Sequence, residues 1–275
     1  IPLDGYQCSV SVTNAGEVIS FSYSGYTENP PTMPDKLYDP ARLLDALQQG
    51  EWTLSAEYLN ATYYSVPQTG IYPIYESDLL RQIYDAVTGE PLFEDAGRRR
   101  TYASFPQVPA LQKATSIEEI VGITDEWELF EEASMDTEYE QFNWRPKNWQ
   151  PPEKKSLEQY VKYSFDQRVN AKLDPVTKQL NSFMWFIDLE GEPQLSEQEC
   201  LQIAAQFVQT YYPAYIPYLQ VEVKTADDIE EKRAFFRFVV QKHNLIVENQ
   251  FFHICVSKIT GQMLMFLSPD ISVEE

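Results

Sequence analysis

The chain has 275 residues, of which 43% are hydrophobic and 14% aromatic, so it can build one large folded domain or two ordinary ones. Its 42 acidic and 21 basic side chains give a net charge of −21, which repels phosphate backbones and anionic lipids and argues against nucleic-acid and membrane-surface partners. The sequence contains no run of about 18–20 apolar residues that could cross a bilayer as a helix. Its cysteines, Cys8, Cys200 and Cys255, form no C-x-x-C pair, which argues against a disulfide framework.

A similar motif, here called the turn motif, recurs along the chain. The copies are VTNAGEVISF (Val12–Phe21), YDAVTGEPLF (Tyr84–Phe93), LDPVTKQLNSF (Leu173–Phe183) and SKITGQMLMF (Ser257–Phe266). Asp and Thr can hydrogen-bond the backbone two residues on, and Gly accepts positive φ, so each copy predicts a β-hairpin. In the third copy Lys178 replaces the glycine, which costs about 1 kcal/mol if that position is left-handed.

Helix signals lie between the copies of the turn motif. Asp39-Pro40 opens ARLLDALQQ and Gly50 closes it, with an N-cap residue, an N1 proline and a C-terminal glycine in their expected places. Ser116–Glu119 is a short capping box. Ser196–Glu199 is a better one, and it opens a predicted helix near residues 196–212 that Pro213 ends.

The predicted helix near residues 196–212 has an apolar stripe that should lie across a sheet. The residues of that stripe are Leu201, Ala204, Ala205, Val208 and Tyr212. Downstream, Leu219–Lys224, Arg233–Lys242 and Phe251–Phe266 are rich in Val, Ile, Phe and Tyr and predict antiparallel strands. A helix followed by antiparallel strands predicts an α+β fold with the helix on one sheet face.

Three segments together carry a family resemblance: IPLDGYQCSVSVTNAGEVISFSY (Ile1–Tyr23), YPIYESDLLRQIYDAVTGEPLF (Tyr72–Phe93) and FFRFVVQKHNLIVENQFFHICVSKITGQMLMF (Phe235–Phe266). They resemble the YcdB/YcdC repeat family, and the second of them is similar to the family's closing strand pair. Units of this family are similar to PepSY domains and to the propeptide modules of thermolysin-type proteases. The family usually has an N-G turn where this chain has His243-Asn244-Leu245, so we expect a differently shaped loop there.

The resemblance implies a fold of repeated PepSY-like units, each a helix packed on a small antiparallel β-sheet. We place a first unit at residues 1–100, lacking its N-terminal helix, and a second region at residues 101–275, with the helix near residues 196–212 and a C-terminal antiparallel sheet. A boundary within Gln150–Lys155 is the alternative.

The sequence contains none of the standard catalytic signatures, such as H-E-x-x-H, G-x-S-x-G or a P-loop, and we predict no catalytic residue, metal ligand or cofactor. His243, His253 and Cys255 are a weak zinc trio for which structural roles are favoured. Arg98-Arg99-Arg100 marks a solvated turn or, alternatively, a proteolytic site.

Trp144 and Trp149 are candidate ligand-binding residues. They lie in the aromatic segment FNWRPKNW (Phe142–Trp149), and the alternative is a tryptophan-anchored loop packed between two units.

The favoured function is a non-enzymatic protein-binding module of the bacterial cell exterior that regulates or inhibits a peptidase or a cell-envelope enzyme. The resemblance implies this function and an extracellular or cell-envelope location, and sheet edges can accept an extended peptide. The alternative is a cell-wall polysaccharide-binding module that uses exposed aromatics such as Trp144 and Trp149. A hydrolase would need a pocket with convergent, perturbed carboxylates.

Overall fold

A computed structural model describes most of the chain. The described residues are 7–12, 18–24, 39–50, 52–76, 88, 90, 100–130, 138–150, 167–224 and 229–271. The chain divides into two compact units, one made of Ile1–Gln49 with Gln82–Glu94 and the other of Gly50–Arg81 with Asp95–Glu275. The second unit draws residues from both sides of position 100, and the division into family units at residue 100 stays a prediction.

The first unit contains a hairpin and a helix. Strands β1 (Gln7–Val12) and β2 (Val18–Ser24) pair antiparallel, as the first turn motif predicts, and the turn between them lies outside the described residues. Helix α1 (Pro40–Gln49) begins at the predicted proline, where the Asp39 carboxylate accepts a hydrogen bond from the Ala41 amide at 3.0 Å. Local capping chemistry therefore sets the start of this helix.

The second unit is built on an 11-stranded sheet with few helices. The strands are β3 (Thr53–Leu59), β4 (Gly70–Glu76), β5 (Tyr102–Ser104), β6 (Trp127–Leu129), β7 (Glu140–Pro146), β8 (Arg168–Leu173), β9 (Leu180–Phe186), β10 (Leu219–Glu222), β11 (Arg233–Lys242), β12 (Leu245–Ser257) and β13 (Met263–Leu267). The helices are α2 (Ile117–Val121), α3 (Glu197–Tyr211) and a 3-10 helix (Pro213–Tyr218). None of the helices in the described ranges is long and apolar enough to cross a membrane.

Antiparallel pairing runs through the sheet in the order β5-β10-β11-β12-β13-β9-β8-β7-β6. Strand β3 joins β12 in parallel at Val247 and Ala56, and β4 pairs antiparallel with β3. The α+β class with a large antiparallel sheet is confirmed. Hairpins β8–β9 and β12–β13, which carry two copies of the turn motif, lie in this one sheet because β9 pairs with β13. Separate repeated helix-on-sheet units stay a prediction.

Helix α3 covers one face of the sheet. Its predicted capping box is present, because the Ser196 hydroxyl accepts the Glu199 amide at 3.3 Å and the Glu199 carboxylate accepts the Ser196 amide at 2.8 Å. The inward side chains of α3 are Cys200, Ala204, Ala205, Phe207 and Val208, all buried. They belong to one core with Phe236, Phe238, Phe252, Ile254 and Phe266 of the sheet.

The two fully described copies of the turn motif share one geometry. In the third copy, Asp174 Oδ1 accepts hydrogen bonds from the amides of Val176 and Thr177. In the fourth copy, Ser257 Oγ accepts hydrogen bonds from the amides of Ile259 and Thr260. In both copies the acceptor side chain therefore bonds the amides two and three residues further along the chain. Lys178 has φ 58°, and Gly261 has φ 76°. The left-handed position that the sequence predicts for Lys178 is therefore confirmed.

The second copy of the turn motif is described only in part. The Thr88 hydroxyl accepts the Glu90 amide at 3.2 Å, as the Thr177 hydroxyl accepts the Gln179 amide at 3.3 Å. The sequence predicts a strand pair within Tyr72–Phe93. After Glu76, only residues 88 and 90 of this range are among the described residues.

Strand β12 carries a wide bulge. Val239 pairs with Phe251 and Val240 with Val247, so Glu248, Asn249 and Gln250 have no pairing residue in β11. Asn249 instead donates to the Tyr58 carbonyl at 2.8 Å and accepts the Tyr58 amide at 2.9 Å. The bulge therefore fixes the position of β3 beside β12.

The turn between β11 and β12 is short. Lys242 pairs with Leu245, and the two residues between them, His243 and Asn244, have φ values of 50° and 65°. Positive φ at both positions is typical of a type I′ hairpin, the turn that N-G sequences favour. Histidine and asparagine here adopt the left-handed geometry that N-G turns favour, and a difference in shape from the family's loop stays a prediction.

Candidate functional site

The hairpin formed by β3 and β4 presents an apolar face. Cross-strand register places Leu54 opposite Tyr75, Ala56 opposite Pro73 and Tyr58 opposite Ile71. Residues that lie directly opposite each other, and those two positions along a strand, share one side of a sheet. These side chains therefore form a continuous apolar surface, here called the hairpin face.

The hairpin face is closed at one end and open at the other. Ala56 is 2% exposed, and Tyr58 and Ile71 are half-buried. Leu54 is 46% exposed and Tyr75 is 70% exposed. Leu54 and Tyr75 are directly paired, so their exposed surfaces adjoin, and contiguous exposed apolar surface is typical of binding sites.

A cavity of about 670 Å³ lies along the closed end of the hairpin face. Its lining residues are Ala56, Tyr58, Gln68, Thr69, Gly70, Ile71, Tyr72, Pro73, Lys242, His243, Leu245 and Ile271. This cavity, here called the hairpin groove, runs between β4 and the type I′ turn of the β11–β12 hairpin. Its volume falls in the range of about 300–1,000 Å³ that ligand pockets occupy.

Strand β4 also has an edge to which no strand in the described ranges is paired. Among the described strands β4 pairs only with β3, so one side of this 7-residue strand is without a strand partner. Pro73 removes one amide donor from the middle of β4, which shortens the run of hydrogen bonds that a neighbouring strand can make. The remaining amides and carbonyls can pair with an extended chain.

Local hydrogen bonds hold the hairpin in place. In its loop the Asn60 side chain accepts the Thr62 amide at 2.8 Å, and the Thr69 hydroxyl accepts the Ala61 amide at 3.0 Å. The Tyr72 hydroxyl donates to the Gln68 carbonyl at 2.7 Å. Because the hairpin is already ordered, less conformational entropy is lost when an extended chain binds to it.

Charged groups near the bulge are paired with each other. Arg237 lies 2.7 Å from Glu222, and Arg100 lies 3.2 Å from Glu248 and 3.5 Å from Glu222. The Tyr102 hydroxyl donates to Glu248 at 3.2 Å, and burial together with the charge of Glu248 raises the pKa of Tyr102 to about 12. This network joins β5, β10, β11 and β12, and a tyrosine with so high a pKa stays protonated near neutral pH.

The arrangement at the hairpin groove is suited to binding an extended chain. The open edge of β4 can hydrogen-bond a main chain, and the hairpin face can bury apolar side chains. Burying one large apolar side chain contributes about 1.5–3 kcal/mol.

Comparison with known proteins gives a family match over most of the core sheet. The model of the family described as the YcdB, YcdC repeated domain matches residues 111–270. The chain belongs to this family. The match includes α3 and every strand from β6 to β13. Of the three segments that resemble the family in sequence, Phe235–Phe266 lies inside the match, and Ile1–Tyr23 and Tyr72–Phe93 lie outside it.

Relatives in the YcdB/YcdC family are longer than this chain. The uncharacterized protein YcdB of Bacillus subtilis (strain 168) is 24% identical over 98% of this chain and 58% of its own length. The uncharacterized protein YcdC of the same strain is 29% identical over 45% of this chain and 27% of its own length. The chain thus spans 58% of the length of YcdB. Among solved structures, the Bacillus megaterium YpeB C-terminal domain aligns with 57% of this chain and 62% of its own at a TM-score of 0.39 and 11% identity.

The two candidate tryptophans lie on opposite sides of β7. Trp144 is 2% exposed and stacks on Phe142 at 5.8 Å, facing the core. Trp149 is half-buried, and its ring lies 5.3 Å from the guanidinium of Arg145. Because side chains alternate along β7, Arg145 lies on the opposite face of the strand from Trp144. The expected exposure of Trp144 is wrong, because its strand position points into the core. A ligand-binding role for these residues stays a prediction.

The weak zinc trio is not assembled. His243 lies in the β11–β12 turn, whereas His253 pairs with Arg237 far along the same hairpin. Burial, and then the charges of Arg237 and Lys224, lower the pKa of His253, and burial raises the pKa of Cys255 to about 12. Within the described ranges no group of three or more His, Cys, Asp or Glu side chains is arranged to hold a metal ion.

The basic run is described only at its last residue. Arg100 forms ion pairs in the bulge network, so this residue is a structural contact of the sheet. Arg98 and Arg99 lie outside the described residues.

The hairpin face was not predicted, although its signal is in the sequence. TLSAEYL (Thr53–Leu59) places apolar residues at alternate positions, and GIYPIYE (Gly70–Glu76) is apolar at every position from Ile71 to Tyr75. With a polar loop between them, that pattern predicts a hairpin whose first strand has one apolar face. Its partial exposure could not be read from the pattern, because exposure depends on where the β11–β12 turn lies.

Proposed function

We propose that this chain is a non-enzymatic protein-binding module of the cell exterior that regulates or inhibits a peptidase or another cell-envelope enzyme. The observation that supports it most is the exposed apolar pair Leu54 and Tyr75 beside the edge of β4 that no described strand pairs with. An edge strand next to an apolar face is the arrangement that proteins use to bind extended segments of other proteins.

In this proposal a segment of the partner adds to β4 as a further strand. Its main chain hydrogen-bonds the outer amides and carbonyls of β4, which gives affinity independent of sequence. Its alternate side chains cover Leu54, Tyr75 and the mouth of the hairpin groove, which selects for apolar residues spaced two apart.

The net charge of −21 favours a partner with a basic surface. Complementary charge raises association rates and suppresses binding to other acidic proteins. The regulatory role is inferred from the similarity of YcdB/YcdC units to propeptide modules, which restrain or chaperone a peptidase. We further propose that each copy of the turn motif closes one such unit.

A comparative pull-down tests the proposal. The bait proteins are the wild type, the double variant Leu54→Lys/Tyr75→Lys, and Val176→Lys, whose valine is 87% exposed in the β8–β9 turn and serves as the matched control. We expect the wild type and the control to enrich the same peptidase or wall enzyme from envelope extract, and the double variant to lose it. Equal recovery by all three baits, or recovery of no such enzyme by the wild type, would refute the proposal.

The recovered enzyme then gives the regulatory test. Its activity is measured with increasing amounts of the wild type, the double variant and the control. The proposal predicts that the wild type and Val176→Lys change the rate of the enzyme and that the double variant does not.

A further inference from the structure

A second cavity, of about 470 Å³, lies at the end of the core where α3 meets the β8–β9 turn and residues 268–271. Its lining residues are Tyr139, Asp174, Thr177, Gln179, Leu180, Asn181, Tyr211, Tyr212, Pro213, Ala214, Tyr215, Ser268, Pro269, Asp270 and Ile271. This cavity, here called the tyrosine cavity, combines aromatic rings with carboxylate, amide and hydroxyl groups.

The rings of the tyrosine cavity are held by the core. The Tyr212 hydroxyl donates to the Leu180 carbonyl, and the Tyr215 hydroxyl donates to the Ile271 carbonyl at 2.7 Å. Tyr212 and Tyr215 meet edge to face at 6.2 Å, and both pack on Phe252, at 5.0 Å and 5.1 Å. Their ring positions are therefore set before any ligand arrives, which lowers the entropy cost of binding.

The polar groups of the tyrosine cavity supply both acceptors and donors. The Asp174 carboxylate accepts two turn amides at Oδ1 and a further hydrogen bond from the Thr177 side chain. Asp270 is exposed, with its amide fixed by Gln250 at 2.8 Å. Asn181 donates to the Ser268 hydroxyl at 3.4 Å. Carboxylates accept hydrogen bonds, and amides both donate and accept them.

This combination selects among ligand classes. The carboxylates of Asp174 and Asp270 repel an anionic ligand such as a nucleotide. A purely apolar ligand would leave those carboxylates and Asn181 desolvated without hydrogen-bond partners. A neutral polyhydroxylated ring satisfies both requirements, because its hydroxyls bond the polar groups while its C–H faces pack on tyrosine rings.

We propose that the tyrosine cavity is a carbohydrate-binding site. Tyr139 and Tyr215 provide the packing surface, and Asp174, Asp270 and Asn181 bond the sugar hydroxyls. This site is distinct from the Trp144 and Trp149 segment, to which the sequence alone directs a polysaccharide hypothesis, and it is independent of strand addition at β4.

Titration calorimetry with the whole chain tests the site, using the N-acetylglucosamine tetramer and the glucose tetramer as probes up to about 10 mM. We expect one of these probes to bind, and Asp270→Asn and Tyr139→Ala to weaken it by about tenfold each. Tyr63→Ala, which removes a tyrosine that is 82% exposed in the β3–β4 loop, should leave affinity unchanged. The groove variant Leu54→Lys/Tyr75→Lys should also bind sugar normally.

Amide hydrogen exchange on the wild type provides a second readout that needs no variant to fold. The bound sugar should slow exchange at the lining residues 177, 179–181, 268, 270 and 271. Failure of both probes to bind, or equal affinity of Asp270→Asn and wild type with no protection at these residues, would overturn the proposal.

Discussion

The Lys258 ammonium lies 2.9 Å from a carboxylate oxygen of Glu197, and Lys224 lies 2.7 Å from the other oxygen of the same carboxylate. Glu197 is the first residue of α3, and Lys258 follows β12, so the pair fastens the start of the helix to the sheet. The Lys258 side chain is 8% exposed. The positive charges of Lys224 and Lys258 are therefore both balanced by the one half-buried carboxylate of Glu197.

Removing that carboxylate should be costly. Glu197→Ala leaves Lys258 buried without its counter-charge, and we expect it to lower the free energy of unfolding by about 3 kcal/mol. The control is Glu128→Ala, which removes an ion pair with Arg145 at 3.2 Å whose members are 43% and 37% exposed, and it should cost no more than about 0.5 kcal/mol. Urea unfolding of both variants measures the difference, and similar losses would contradict the assigned role.

The same carboxylate makes stability depend on pH. Burial alone would raise the pKa of Glu197, but hydrogen bonds and charges from Lys224 and Lys258 outweigh it and hold the pKa below the ordinary value of 4.5. Because the folded pKa is lower than the unfolded one, this contribution is complete above pH 4.5 and is lost as the pH falls through the folded pKa. The stability gap between wild type and Glu197→Gln should therefore narrow on acidification, and a constant gap down to pH 3 would count against the pairing.

The shared turn geometry predicts opposite effects at matched positions. Lys178→Gly relieves a left-handed residue at φ 58° and should stabilise the chain by about 0.5–1 kcal/mol, after loss of its exposed ion pair with Glu140. Gly261→Ala should destabilise it by about 2 kcal/mol, because the new Cβ would lie 3.1 Å from Leu195 Cδ1 at φ 76°. Thermal unfolding of both variants measures whether Lys178→Gly raises and Gly261→Ala lowers the stability of the chain.

The β11–β12 turn can be improved by one substitution. Asn244 has φ 65° in the second position of a type I′ turn, where glycine is favoured, so Asn244→Gly should add about 0.5–1 kcal/mol of stability. A matching change outside a positive-φ position, Asn249→Gly, should instead destabilise, because the Asn249 side chain bonds both backbone groups of Tyr58. Loss of stability in Asn244→Gly would show that the turn is not type I′ in solution.

Local signals predicted the elements that local chemistry determines. Three features depend only on residues within a few positions: the capping box at Ser196, the proline at the start of α1 and the turn motif at Asp174. The structure of each could therefore be predicted from the sequence. The helix-on-sheet arrangement of α3 followed from its apolar stripe.

The candidate site depends on contacts that no local pattern determines. Tyr58 bonds Asn249, which is 191 residues away, and this pairing places β3 beside β12 and opens the hairpin groove. Trp144 is buried because its strand phase directs it into the core, where Val121 and Trp185 are also buried. Alternation predicts which residues share a face, but not which face another element will cover.

The central claim is that the edge of β4 and the hairpin face bind an extended segment of a partner. Amide hydrogen exchange of the whole chain, free and saturated with the enzyme recovered by the wild-type bait, tests this claim most directly. The account predicts slower exchange at the alternate amides of β4 whose N–H groups point away from β3, together with shielding of Leu54 from surface labelling. Unchanged exchange in β4 alongside protection of another part of the chain would contradict it.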